Sequence, residues 1–193
     1  MSTTNSPNQI VFLNNIGKAF YRLKQFDEAE KYFEEALQLA KKIFSSSADH
    51  IFLAYTSKNQ GEIRLAKNDF VGALALFQYA HDMYKRIFPQ DANQRDVAKC
   101  QYLIGLTHLA LNDTKNATTA LEQALHMRIN ALHSDHPDLA LSYQSMGDLY
   151  TCKKNVVKTI EYFKLALAIF EKRLPFDHDQ LIDLKEKLAL LES

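Results

Sequence analysis

Three aspartate–histidine pairs are the residues of this chain whose type and spacing could do chemistry. They are Asp49-His50, Asp135-His136 and Asp177-His178, and together with Asp91 their aspartates stand 42, 44 and 42 residues apart. Carboxylate oxygen and imidazole nitrogen both bind zinc, but a structural zinc needs about four converging ligands and each pair supplies only two. We therefore predict no metal site. Instead, we expect the aspartate to cap the next helix or its turn, and the histidine to pack at the seam between neighbouring repeats.

The remaining histidines and the two cysteines form no catalytic pattern. Catalysis needs a nucleophile, a base and an orienting group that converge, and no histidine has an obvious serine or cysteine partner. Cys100 and Cys152 lack the spacing of a C-x-x-C motif or of a zinc site, which indicates reduced thiols of a cytosolic protein. We expect no enzyme, no catalytic residue, no metal and no cofactor.

Composition narrows the class of partner. Lysine plus arginine equals aspartate plus glutamate at 23 each, so no net field favours nucleic acid or an anionic membrane. The polar N-terminus lacks the apolar segment of a signal peptide, and residues 1–8 are predicted to be disordered. No run approaches the roughly 18 apolar residues of a membrane span. We expect a cytoplasmic protein without membrane insertion.

The recurrence of glycine indicates which structural elements position these residues. Gly17, Gly61, Gly105 and Gly147 stand 44, 44 and 42 residues apart. At fixed offsets each is followed by a small residue, a large apolar residue and an alanine; the four sets are Ala29-Phe33-Ala36, Ala73-Phe77-Ala80, Ala117-Leu121-Ala124 and Thr159-Phe163-Ala166. Such a fixed register predicts a repeat array, whose extended surface typically binds other proteins.

Apolar residues within each repeat recur at helical spacing, so each repeat is predicted to be a helical hairpin. Its first helix, helix A, carries the glycine, and its second, helix B, carries the large apolar residue that packs there. Glycine costs roughly 1 kcal/mol inside a helix, so its recurrence implies close packing. The predicted fold is all-α, a right-handed α-α superhelix of four hairpins and a capping helix, with repeats at 9–52, 53–96, 97–138 and 139–179 and the capping helix at 180–193.

The register of glycine, alanine, phenylalanine and alanine resembles the tetratricopeptide repeat from about residue 9 onward. The long period, the linker Leu132-His-Ser-Asp-His-Pro-Asp-Leu-Ala140 and the helix A segment Phe12-Leu-Asn-Asn-Ile-Gly17 are similar to the kinesin light chain type of array. That resemblance implies a scaffold or adaptor that binds cargo in a concave groove lined by the A helices. The heptad coiled coil by which that subfamily binds its motor is not found, so association with a kinesin heavy chain does not follow.

In the resembled subfamily, groove asparagines bond an extended peptide's backbone, while lysines and arginines meet its acidic side chains. Asn15 and Asn59 fall at that asparagine position, where the later repeats have Leu103 and Ser145. In the first half of the chain, the helix A residues that lie outside the apolar face are mostly basic side chains and amides. Glu62 is the acidic residue among them. The predicted groove residues are Asn14, Asn15, Lys18, Tyr21, Arg22, Tyr55, Lys58, Asn59, Lys99 and Tyr102, and they predict an acidic peptide as ligand.

Other functions remain open at this point. A carboxylate clamp for a chaperone's C-terminal tail would match at Asn59 and Lys99, but Asn14, Lys18 and Leu103 replace its usual lysine, asparagine and arginine. A regulatory module of a larger enzyme assembly and a self-assembling array are further alternatives. RNA binding is disfavoured by the neutral charge and by the absence of a recurring base-reading pair. We expect a monomer, or a weak homodimer formed through the C-terminal helix.

Overall fold

A computed structural model describes residues 6–44, 49–89 and 94–192. Within these ranges the protein has nine α-helices and no strand, which confirms the predicted all-α repeat array. The helices pair in chain order, and they are α1 (Pro7–Arg22), α2 (Phe26–Ile43), α3 (Ile51–Ala66), α4 (Phe70–Ile87), α5 (Gln94–Ala110), α6 (Thr114–Ala131), α7 (Pro137–Cys152), α8 (Val156–Arg173) and α9 (Asp179–Glu192).

Some predicted boundaries differ from the observed ones. Helix α1 begins at Pro7, so the last two residues of the lead predicted to be disordered are helical. Proline suits the first turn of a helix because its missing N–H would have no intrahelical partner there. The first five residues, and the linker around Asp91, lie outside the described residues.

The chain divides into two compact units. Unit 1 extends to Leu103 and unit 2 begins at Ile104, so the boundary falls within α5. Unit 1 contains the hairpins α1–α2 and α3–α4, together with the first part of α5. Unit 2 contains the rest of α5, then α6, the hairpin α7–α8 and α9.

The recurring glycines lie where the two helices of a hairpin meet, as the sequence predicts. A Cβ atom at Gly61 would lie 2.6 Å from Cε1 of Phe77, and one at Gly147 would lie 2.3 Å from Cδ1 of Phe163. Ordinary carbon contacts are about 3.5–4.0 Å, so even a methyl group does not fit without movement of the buried ring. The large residue of helix B therefore occupies the space that the glycine of helix A leaves open.

The prediction that the aspartate of each pair caps the next helix is wrong, because histidine is the residue that does so. The predicted packing of the histidine is found at His50, whose ring stacks on Phe44 with the centroids 3.5 Å apart. Nδ1 of His50 accepts a hydrogen bond from the Phe52 amide at 3.2 Å. His136 and His178 make the same contact at α7 and α9, with donor distances of 3.1 and 3.2 Å. Each ring nitrogen satisfies an amide of the first helical turn that has no intrahelical acceptor.

Two of the aspartates, Asp49 and Asp135, instead join the linker to the end of helix B. Asp49 accepts three contacts of 2.8–3.0 Å from Nε and Nη2 of Arg86, at the end of α4. Arg173, at the end of α8, binds Asp135 at two places: its Nε donates to the backbone carbonyl at 3.1 Å, and its Nη2 donates to the carboxylate. A guanidinium fork holds a carboxylate with defined geometry, so the pair fixes the path of the linker within the repeat.

The turns between helices A and B contain a feature that the sequence analysis missed. Lys24, Asn68, Asn112 and Lys154 have φ between 56° and 61°, the left-handed conformation. Asparagine tolerates this conformation better than lysine. The next residue in each turn is the N-cap of helix B. Three of these N-caps, Asp69, Asp113 and Asn155, accept a hydrogen bond from the backbone amide three residues on, whereas Gln25 makes no such bond.

Helix α9 covers the last hairpin. Leu181, Leu184 and Leu188 are buried on one face of this helix, which packs against α8. Gln180 Nε2 also donates to the Gln144 side chain of α7 at 2.9 Å. This arrangement is that of a capping helix, which shields the apolar face of a terminal repeat. The homodimer predicted through this helix stays a prediction.

Candidate functional site

Unit 1 contains a cleft of about 240 Å³ in which most of the predicted groove residues meet. We call it the unit 1 cleft, and it is lined by Lys18, Tyr21, Arg22, Phe33, Lys58, Asn59, Glu62 and Lys99. Six of these eight residues belong to the predicted set of ten. The lining contains four basic side chains and one carboxylate.

The helices position these residues by their regular spacing. Lys18 and Arg22 are four residues apart on α1, and Lys58 and Glu62 are four apart on α3, so each pair lies on one helical face. Lys99 comes from α5. Because Gly17 lets α1 and α2 pack closely, Phe33 of α2 also lines the cleft.

Lys58 is the unusual residue of the site. It is only 8% exposed. Its ammonium lies 4.7 Å from the centroid of the Tyr55 ring, a cation–π distance, and makes no hydrogen bond or ion pair within the described part of the chain. A lysine this deeply buried is normally paired. Because Lys58 lines the cleft, its ammonium is available to an anion bound there.

Lys18 lies on the same tyrosine. Its Nζ donates to the hydroxyl of Tyr55 at 3.2 Å and lies 5.8 Å from the ring centroid. Two ammonium groups therefore share one aromatic ring. Like charges held near each other are mutually unfavourable, so a bound anion would stabilise both.

Glu62 makes the charge of the cleft uneven. Its carboxylate lies 3.9 Å from Nζ of Lys99, which is the upper limit of an ion pair. Burial, and then the charge of Glu62, raise the pKa of Tyr21, so this phenol keeps its proton as a donor. The Lys99 side of the cleft is therefore partly neutralised, while the side formed by Lys18, Arg22 and Lys58 is not.

Four predicted residues do not line the cleft. Asn14 is 1% exposed, and its amide donates to the carbonyl of Ile10 at 2.9 Å and to the hydroxyl of Thr56 at 3.0 Å. Its carbonyl accepts from Asn59 at 3.2 Å, so Asn14 orients a cleft residue rather than a ligand. Asn15 is exposed; Tyr55 and Tyr102 lie beneath the lysine ammonium groups.

Phe33 is the cleft residue that the sequence analysis did not place in the groove. Its position in the repeat register indicates a seam residue, and its ring does pack against Gly17. The ring is 1% exposed and forms a core cluster with Ala29 and Ile63. One side chain thus serves both the seam and the cleft, which a helical period by itself does not reveal.

Among the residues described, the lining of the unit 1 cleft has no histidine, serine or cysteine. No group of three or more histidine, cysteine, aspartate or glutamate side chains in those ranges is arranged to hold a metal ion. Burial raises the pKa of the Cys100 thiol to about 12, although the charge of Lys58 lowers it slightly. A thiol in that state is a poor nucleophile at neutral pH.

Comparison with known protein families identifies the repeat. Two models, each described as tetratricopeptide repeat, match residues 8–86 and 97–138, which together make up more than half of the chain. The chain belongs to the tetratricopeptide repeat family. Arrays of this fold act as protein-interaction scaffolds, and the family is generally non-catalytic.

Among curated proteins, the chain is similar to Protein KINESIN LIGHT CHAIN-RELATED 2 of Arabidopsis thaliana. The two are 26% identical over 160 residues. The match takes in 83% of this chain but only 24% of that protein. This repeat array thus spans about a quarter of the length of the relative it matches, and the resemblance to kinesin light chain repeats is confirmed.

Solved structures share the fold. A putative kinesin light chain from Podospora anserina with nearly identical repeats has a TM-score of 0.74 at 17% identity, over 96% of this chain and 86% of that one. BtubC of P. vanneervenii has a TM-score of 0.69 at 21% identity, over 84% and 63%. A Rap protein complexed with Competence and Sporulation Factor has a TM-score of 0.77 at 18% identity, over 95% and 48%.

The described helices also bear on the predicted location. None of them combines the length and the apolar character that crossing a membrane requires. The cytoplasmic location stays a prediction.

Proposed function

We propose that this tetratricopeptide array is a non-catalytic scaffold or adaptor that binds an extended, acidic segment of a partner protein in the unit 1 cleft. The observation that carries the proposal is Lys58, a largely buried lysine that lines the cleft and pairs with no carboxylate among the described residues. An acidic side chain of the ligand would complete its pairing. Hydrogen bonds between ionised groups are about twice as strong as neutral ones, so this contact would anchor the segment.

The cleft also offers groups for the ligand's backbone. Asn59 is 2% exposed, and Asn14 fixes its orientation by accepting one of its amide hydrogens. A side-chain amide has two donor hydrogens and a carbonyl acceptor. The second donor and the acceptor of Asn59 have no partner among the described residues. They can therefore pair with the N–H and C=O of an extended peptide, as in other backbone-reading interfaces.

The comparisons support a binding function of this kind. The similar Rap protein was solved in complex with Competence and Sporulation Factor, and two further similar structures are of one putative kinesin light chain. A carboxylate clamp fits less well, because Leu103, which stands where the clamp has arginine, is a buried apolar side chain. The acidic-segment scaffold is therefore the function we favour over a chaperone-tail receptor.

Fluorescence anisotropy tests the proposal with labelled twelve-residue peptide libraries that differ only in three fixed central residues, either Asp or Lys. We expect the Asp library to bind more tightly. Lys58→Met keeps the apolar stem and removes the charge, and should weaken binding of the Asp library by roughly tenfold or more. Lys158→Met is the matched control, because Lys158 lies 4.8 Å from the centroid of the Tyr150 ring but does not line the cleft.

The variants also separate this function from others. Equal binding of the Asp and Lys libraries would contradict an acidic ligand. Equal losses in Lys58→Met and Lys158→Met would move the site away from the unit 1 cleft. Circular dichroism of both variants establishes that helicity matches the wild type before affinities are compared.

A further inference from the structure

The charge balance of the unit 1 cleft indicates which acidic group of the ligand binds there. This inference rests on the function proposed above. We propose that the cleft anchors a phosphate monoester, the side chain of a phosphorylated serine or threonine, in preference to a single carboxylate. The group would bind between Lys18, Lys58 and Arg22.

Counting charges favours a doubly charged group. The lining has four cations, Lys18, Arg22, Lys58 and Lys99, and one carboxylate, Glu62. One aspartate from a ligand would leave the cleft strongly positive. A phosphorylated side chain carries about −1.5 to −2 charges at neutral pH and has three acceptor oxygens, so it matches the excess more fully.

The positions of the cations agree with such a group. Lys18 approaches Tyr55 at its hydroxyl, whereas Lys58 lies over the face of the same ring, so both ammonium groups contact one side chain. Glu62 is engaged with Lys99 at 3.9 Å and does not pair with either of them within 4 Å. Arg22 adds a guanidinium fork, the geometry that suits phosphate oxygens.

The size of the cleft indicates a side chain of a larger ligand. Its volume of about 240 Å³ lies below the range of roughly 300–1,000 Å³ that is typical of small-molecule pockets. Two residues of its lining, Phe33 and Asn59, are almost fully buried. A partly dry site strengthens each charge–charge contact, which increases the advantage of two charges over one.

The proposal predicts a pH dependence that a carboxylate ligand would not show. The second ionisation of a phosphate monoester lies near pH 6, so the group is mostly a dianion at pH 7.5 and mostly a monoanion at pH 5.5. The titratable and charged groups that face it are Lys18, Tyr21 and Arg22 of α1, Lys58 and Glu62 of α3, and Lys99 of α5. No histidine lines the cleft.

The test uses three labelled peptide libraries that are identical except at one fixed central residue, which is serine, aspartate or phosphoserine. Anisotropy is measured at pH 7.5 and pH 5.5 with the wild type, Lys58→Met and Lys158→Met. We expect phosphoserine to bind roughly tenfold more tightly than aspartate at pH 7.5, with several-fold weakening at pH 5.5 for phosphoserine only. Lys58→Met should remove the preference, and Lys158→Met should retain it.

The outcomes separate the two proposals. If aspartate and phosphoserine bind equally and both exceed serine, the phosphate preference is overturned and the acidic-segment function stands. If the three libraries bind equally, or none binds, both proposals fail. A phosphoserine preference that survives Lys58→Met, or that is insensitive to pH, would also overturn the assignment to this cleft.

Discussion

The first repeat should gain stability from a single substitution at the N-cap of α2. In the other three repeats an aspartate or asparagine at this position accepts a bond of 3.0–3.1 Å from the amide three residues on. Gln25 makes no such bond. Its backbone nevertheless has φ −88° and ψ 73°, close to the −83° and 75° of Asp69. The backbone is therefore already in the cap conformation, and only the side chain is too long.

Gln25→Asn supplies the shorter amide without adding charge beside Asp27 and Glu28 in the first turn. A good N-cap stabilises a helix by about 0.5–2 kcal/mol. For a chain of this size, 1 kcal/mol corresponds to roughly 2–4 °C in Tm. The reverse change, Asn155→Gln at the N-cap of α8, should lose a comparable amount, since it recreates the uncapped first repeat in the fourth.

Urea and thermal denaturation measure both changes, and hydrogen exchange at the Glu28 amide reports the new bond directly. Repeat arrays lose stability locally, so the exchange measurement is the more specific of the two. If Asn155→Gln destabilises by about 1 kcal/mol while Gln25→Asn has no effect, the equivalence of the two backbones as cap sites is wrong.

Three further outcomes follow from the fold. Gly105→Leu should destabilise unit 2 by about 1–3 kcal/mol, because even a Cβ atom would lie 2.7 Å from Leu121; an unchanged urea midpoint would contradict the seam. Lys24→Asn should raise the free energy of unfolding by about 0.5–1 kcal/mol, since asparagine tolerates φ of 59° better, and a lower value would contradict the strain argument. Burial lowers the pKa of His50, so the stability from its cap is fully present above the ordinary value near 6.5 and is lost as pH falls through the lower folded pKa. The free energy of unfolding of the wild type should therefore fall by about 0.5–2 kcal/mol relative to that of His50→Asn between pH 7.5 and 4.5. Parallel pH profiles of the two proteins would refute the cap.

The candidate site was partly predictable because helix A presents its polar residues at a regular spacing. Lys18, Lys58 and Lys99 were found in this way. The function of Asn14 was not, since the side chain is held by Thr56, which is 42 residues distant. Whether an asparagine meets a ligand or a neighbouring helix depends on the contact between α1 and α3, and helical period does not specify that contact.

The sequence by itself determined the repeat, its helical hairpins and the close packing at each glycine. These follow from local spacing. A helix that has an apolar face and a glycine at one fixed position has few ways to bury that face and to fill the space beside the glycine. Tertiary structure alone decided which polar atoms are paired: histidine rather than aspartate caps α3, α7 and α9, and Lys58 is buried without an anion. The pairing of a polar group depends on what long-range packing brings within about 3 Å of it, and residue spacing along the chain carries no record of that distance.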